Sequence, residues 1–516
     1  MLTRRLLLIV AGVLFCGAGV SWIVADRAVL SAGSSIRLEP GVAYAVETAY
    51  NRATIDLPFD PETRYVIIIG SLGVPERRHR VTLTTRPINH VTSPAVRRLP
   101  VLDVPEKQRV ERSIPRRAEG LTPSVFPLSL EDRRDKPDGL QQFDSREFFL
   151  HASDGSLDDA TEYTRVQARL IAEGVNVRVY LDRRQPAREL VSGLAEAIVQ
   201  TLDAQIIPLF RRKLGRIRDV DGDGKFAVLL TPLLGRLQGG RTSVEGFVRG
   251  DDFRGDVQPP FSNRCDMMYL NTHLRPGPHL KTILAHEFAH AVCFSERLPT
   301  ERHQPVRIDE EDWLNEAIAH LAENLAGGDW SNLDDRLRDY LDAPERYPLV
   351  VSDYAGAGLW RDTGCRGATY LFLRWCVDQY GEDLLPRLIH GRVCGIGNVA
   401  QATAGRTVKT EFPDLFRRWS IAMYRSGLQG RAGRGDYQSI RLRGPLGRYH
   451  LRGPHVRRWD VDAGEQTVRL QGTAVTYLEL RTSGHSGPRR IQISGEFGSG
   501  LQVSIVTCTE AEHPRP

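Results

Sequence analysis

Two histidines four residues apart, with a glutamate directly after the first, stand in TILAHEFAHAV at 282–292. On an α-helix such positions share one face, about 6 Å apart along the axis. His286 and His290 can therefore reach one metal ion, and Glu287 projects to the neighbouring flank of the same site. Neutral imidazole is a good zinc ligand at about 2.0–2.1 Å. The longer segment PHLKTILAHEFAHAVCF carries an apolar stripe of Leu280, Ile283, Leu284, Phe288, Ala291 and Val292. That stripe predicts a helix whose burial brings the histidines to the inner edge of a cleft. Buried imidazoles beside a carboxylate are unfavourable unless paired or metal-bound. The five-residue pattern alone is short enough to arise by chance.

A catalytic zinc takes a third protein ligand and keeps a fourth position open. EEDWLNEAIAHLAENLAG supplies Glu316, 26 residues after His290, near the start of a predicted helix with Leu314, Ile318, Leu321 and Leu325 on its apolar face. The histidine pair together with this second helix is a far more specific signal than the pair by itself.

The stretches LAHEFAHAV, DWLNEAIAHLAENL, DVDGDGKFAVLL and GATYLFLRWCVDQYGEDLL resemble the neutral zinc metalloproteases of the hyicolysin type, a branch of the gluzincins, over about residues 145–430. The resemblance implies His286, His290 and Glu316 as zinc ligands, Glu287 as the catalytic carboxylate, and proteins or peptides as substrates. Zinc would acidify a water and polarise the scissile carbonyl, with Glu287 carrying the proton. Gluzincins place a Tyr or His as donor to the transition state; Tyr370 and Tyr354 are the candidates, Tyr370 slightly preferred, each being otherwise a core residue. Two positions depart from the family. Where several gluzincins carry an Asp four residues after the ligand glutamate, this chain has His320, which is open to three roles: hydrogen-bond partner, transition-state donor or surface histidine. Four residues before Tyr370 stands Arg366 instead of an aromatic.

Two further stretches bear on chemistry. DVDGDG sets Asp219, Asp221 and Asp223 at alternating positions, like the first half of an EF-hand loop, and makes calcium a second candidate cation. Leu230 occupies the place of the closing glutamate, and a plain Asp/Gly turn is the competing assignment. The resemblance also implies an edge strand above the metal that pairs with the substrate backbone; VEGFVRGDDF and CDMMYLNTHL are the candidates, Gly246 to Val248 is preferred because a glycine lets another backbone approach, and an ordinary sheet strand is the competing assignment.

The elements that must position these residues form a mixed, α+β chain: a gluzincin-type metalloprotease domain with active-site helices, flanked by small N- and C-terminal β domains. With 516 residues, 41% hydrophobic and 26% charged, several domains are expected. The net charge of +5 gives no case for nucleic acid. Residues 1–28, with Arg4 and Arg5 before an apolar run from Leu6 to Ala25, predict a signal peptide or an uncleaved transmembrane anchor, and hence export. Residues 34–83 predict a small β domain, 84–144 a Pro/Arg-rich linker, 145–430 the metallopeptidase, and 435–512 a β-sandwich-like domain. Helices are expected at 278–297, 313–327 and 366–391. Six cysteines past the leader permit disulfides or buried thiols. The function expected is an exported zinc endopeptidase; the alternative is a non-catalytic, zinc-holding binding or adhesion module of the cell envelope.

Overall fold

The computed structural model describes residues 38–509, apart from 40, 60–62, 92–95, 100–144, 152–155, 236–243, 299–308, 360–361, 405–410, 429–432, 434 and 484–486. The chain opens with β1 (Ala43–Val46), β2 (Arg52–Leu57), β3 (Thr63–Ser71), β4 (Arg78–Pro87) and β5 (Val96–Arg98). The expected linker thus begins later than residue 84, since β4 and β5 use its first part. Residues 100–144 and the leader lie outside the described residues.

A second sheet follows: β6 (Ser145–His151), β7 (Tyr163–Glu173), β8 (Val177–Asp182), β9 (Phe226–Thr231), β10 (Gly246–Phe247) and β11 (Met267–Asn271), in the order β10-β11-β9-β8-β7-β6. β8, β9 and β11 run parallel and the outer pairs antiparallel. The FAVLLT of β9 is buried throughout, as expected for a strand covered on both faces. Its Val228 and Leu230 join the helical core, while Ala227 and Leu229 join a smaller cluster with Phe148 and Met267.

The helices are α1 (Leu194–Thr201), α2 (Ile207–Lys213), α3 (Pro278–Glu296), α4 (Asp312–Leu325), α5 (Asp334–Asp342), α6 (Thr363–Tyr380), α7 (Leu384–Ile389), α8 (Gly395–Thr403) and α9 (Phe412–Arg425). α3 and α4 match the expected spans closely. The single helix expected over 366–391 is two, because Gly381 at φ 86° terminates α6. A π-helical stretch, Leu202–Ile206, separates α1 from α2, whose Pro208 lacks the amide needed to continue a regular ladder.

β12 (Arg443–Leu446), β13 (Tyr449–Arg452), β14 (Val456–Asp460), β15 (Gln466–Gln471), β16 (Val475–Arg481), β17 (Arg489–Gly495) and β18 (Leu501–Thr509) close the chain. Two separate β domains were expected at its ends; the structure overturns that division. One sheet runs β14-β16-β3-β18-β1-β5 and the other β15-β4-β17-β2, so both mix strands from the two termini. The reason lies in β3, TRYVIIIGS. Its Tyr65, Ile67 and Ile69 fill the space between the sheets, and its Val66 and Ile68 face the core of the helical unit. A strand apolar on both faces needs neighbours on both edges and cover on both sides. α9 supplies that cover: a Cβ on Gly70 would stand 2.7 Å from the Phe416 ring, and Arg417 donates to Ser504 Oγ at 3.0 Å.

Among the described residues no helix is long and apolar enough to cross a membrane. The run Leu6 to Ala25, which raised a transmembrane segment, lies outside them, and that assignment is withdrawn. Cys265, Cys293, Cys365, Cys376 and Cys394 are free thiols.

Candidate metal centre

α3 presents His286 and His290 one turn apart, and α4 packs across it with Glu316 near its first turn. His286 Nε2 and His290 Nε2 are 3.2 Å apart, and Glu316 lies 3.5 Å from the first through Oε2 and 3.9 Å from the second through Oε1. Three ligands at about 2.0–2.2 Å from one tetrahedral ion stand about 3.3–3.6 Å from each other. The spacing therefore matches a shared cation. Glu316 Oε2 is buried and makes no hydrogen bond, which a metal would remedy. The donor set of two imidazoles and a carboxylate suits zinc.

The charges tell the same story in the absence of an ion. Burial opposes a charge on His286, yet Glu316 and Glu323 hold its pKa up at about 10. His290 falls to about 4, through burial and the charge of His286. Glu316 is itself held well below the usual carboxylate range: burial pushes it up, and Arg366 and the two histidines outweigh that. The Arg366 guanidinium approaches Glu316 Oε1 at 3.2 Å. Burial lifts Glu287 to about 7, with His286 pulling down and Glu316 pushing up. A carboxylate poised near neutrality is suited to exchanging protons with a substrate.

Glu323 was not foreseen. Its Oε1 accepts from His286 Nδ1 at 2.7 Å, His320 Nδ1 at 2.8 Å and Asn332 Nδ2 at 2.7 Å. A carboxylate so placed sets which ring nitrogen of His286 turns toward His290 and Glu316. The family pattern looks for it four residues after Glu316. Here it comes from seven residues after, two turns along the same face. The signal in the sequence was a lone acid inside the apolar run AHLAENL.

His320, a candidate catalytic residue, is corrected by its position. It has no exposure, and its ring stands 4.7 Å behind that of His286, bonded to Glu323. Tyr370 is corrected likewise: it is fully buried, edge-on to Trp330, and its hydroxyl donates to Asn324 at 2.6 Å. Tyr354 is the tyrosine beside the site. Arg366 sits 6.0 Å over its ring, and its hydroxyl lies by Thr369 without a hydrogen bond of good geometry.

β10 is the end strand of its sheet, and a Cβ on Gly246 would come 3.3 Å from Glu287 Cγ. The glycine thus allows the edge strand to lie directly against the candidate base. A buried ion pair sets the two helices together: Arg297, at the end of α3, donates to Glu310 at 2.5 Å just before α4. Glu310 also accepts from Gly395 N–H and Asn398 Nδ2, both at 2.6 Å.

The expected calcium trio is not assembled. Asp223 pairs with Arg178 at 2.5 Å and Asp221 with Arg146 at 2.7 Å, while Asp219 accepts from the amides of Gly222 and Gly224. The acids within ligand reach of each other are Asp219, Asp221 and the buried Asp266. Arginines and backbone amides already neutralise most of this turn.

The chain is similar to the neutral metalloprotease ShpI of Staphylococcus hyicus, at 28% identity over 173 residues. The matched part is 32% of this chain and 37% of that protein, so the chain spans little more than a third of its relative. No family model matches. The likeness supports a relationship to metalloproteases and no finer assignment.

Proposed function

We propose that this protein is a zinc-dependent endopeptidase of gluzincin type, acting outside the cytoplasm. The observation that carries the proposal is the spacing of three buried ligand atoms from two helices, with Glu287 alongside at a pKa of about 7. The likeness to a neutral metalloprotease favours peptide substrates, and the leader-like N-terminal run supports export.

His286, His290 and Glu316 would hold the zinc. When bound, zinc would supply Lewis acidity for the scissile carbonyl and for the attacking water. Glu287 takes the proton from that water and delivers it to the leaving amine. Glu323 keeps His286 in the tautomer that turns Nε2 inward. The outer edge of β10 offers its backbone to an extended peptide, and Gly246 leaves room for it above Glu287. Tyr354, beside Arg366, is the donor to the carbonyl oxygen as charge builds there.

The test is Glu287→Gln in the purified chain. It should keep zinc stoichiometry and lose peptide cleavage by several orders of magnitude; full turnover in that variant would remove the assigned base. Glu316→Ala should lose zinc, and unchanged zinc content would remove it from the ligand set.

A further inference from the structure

Three turns of the sandwich meet at one of its ends. Gly495 N–H donates to Asn51 O at 2.8 Å and Leu501 N–H to Asn51 Oδ1 at 3.0 Å, joining the β1–β2 turn to the β17–β18 turn. Leu72 N–H donates to Gly500 O at 3.0 Å and Gly73 N–H to Ser499 O at 3.1 Å, joining the β3–β4 loop to the same turn. On this fastened rim sit Tyr50, 98% exposed, Phe497, 93% exposed, and Val74, 59% exposed. Large apolar side chains so fully in water do nothing for the fold.

Tyr50 makes the point more sharply. It holds a left-handed backbone, φ 52°, in a two-residue turn where Asn or Gly is preferred and an aromatic is strained. Around the rim, Arg52, Arg77, Arg78 and Arg80 are exposed and make no ion pair among the described residues; Glu47, Glu76 and Glu496 are the acids nearby, and Glu496 lies 3.4 Å from the His79 ring, so the arginines outnumber the acids by one. A protein partner usually covers about 800 Å² on each side, as a packed face. Isolated apolar tips on a rigid rim, flanked by arginines, suit a soft anionic surface instead.

We propose that this end of the sandwich docks on an anionic lipid surface. Phe497 and Val74 enter the boundary between head groups and acyl chains, Tyr50 rests at head-group depth, and the arginines meet lipid phosphates. The contact is peripheral and independent of the metal centre.

The experiment uses the full chain and Phe497→Trp with vesicles containing brominated phosphatidylcholine, with or without phosphatidylglycerol. The apolar N-terminal run is common to both proteins, so only the quenching added by the new tryptophan counts. Added quenching is expected with phosphatidylglycerol vesicles and should fade at high salt. Tyr50→Ser and Phe497→Ser should each weaken partitioning roughly ten- to a hundredfold. Their thermal midpoints and soluble-peptide cleavage should stay at the parent values, which separates this inference from the proposed activity. No added quenching on anionic vesicles, or equal quenching on neutral ones, overturns the proposal. So does a concentration-dependent dimer abolished by Phe497→Ser, which would give the tip to a second copy of the chain.

Discussion

Replacing Glu323 by glutamine separates its charge from its geometry. The amide oxygen introduced can still accept from His286 Nδ1 and His320 Nδ1, which now lie 2.7 and 2.8 Å from Glu323 Oε1. What is lost is the charge. A hydrogen bond to a charged group contributes about 1.5–3 kcal/mol net, against about 0.5–1.5 for a neutral one. The difference, about 1–1.5 kcal/mol on the bond to His286, corresponds to roughly tenfold in zinc affinity. Loss of both oxygens in Glu323→Ala should approach the hundredfold end of what outer partners of metal ligands contribute. A separate effect falls on the fold. Glu323 Oε2 is buried without a partner, so the NH2 group that replaces it in Glu323→Gln is an unsatisfied donor, a destabilisation of about 1–3 kcal/mol. Competition against a chromophoric chelator measures the first quantity and urea unfolding of the metal-free chain the second. A folded Glu323→Gln variant with zinc affinity within twofold of the parent would refute the assignment of this carboxylate to orienting His286.

Zinc uptake should release about one proton near pH 7, because His286 without metal holds its proton up to about 10. Affinity should therefore rise with pH, about tenfold per unit between roughly pH 7 and 9; calorimetry in buffers of different ionisation enthalpy reads the proton, and a pH-independent affinity would contradict the charge state. Arg297→Met leaves Glu310 buried with no cation, at a cost of about 3–5 kcal/mol, visible as a lowered denaturant midpoint. Zinc binding should weaken in that variant too, since the pair holds α3 to α4. Tyr354→Phe should lower kcat while zinc content and KM change little; unchanged kcat would assign the donor role elsewhere. Removing residues 1–99 should abolish cooperative unfolding, and a soluble, cooperatively folded product would show that the C-terminal strands form a sheet unaided.

The proposed ligands were legible because His286 and His290 stand one helical turn apart and the amphipathic pattern of α4 directs Glu316 inward, whereas α3 itself is buried on nearly all sides. β10 was legible through the glycine that a close backbone approach requires. Glu323 was hidden because tertiary packing, and not spacing along α4, decides which carboxylate reaches His286. The two tyrosines could not be separated for the same reason, since both lie in apolar surroundings and only the fold puts Arg366 between Tyr354 and Glu316. The end strands were individually readable from their alternation, but pairing between β3 and β18 leaves no local mark. Their residues carry period-two patterns that fit a separate small sheet equally well.

Interleaving the first strands with the last also sets an order of events. Ser71 Oγ donates to Ser499 O, partners 428 residues apart in sequence. Closing so long a loop adds only a modest entropic penalty, yet contacts of this separation form late. During synthesis, β3 lacks its β18 neighbour until residues 501–509 have been made, although the helices that its Val66 and Ile68 face are made earlier. The helices that bear His286, His290 and Glu316 are therefore made before the β18 strand against which α9 packs.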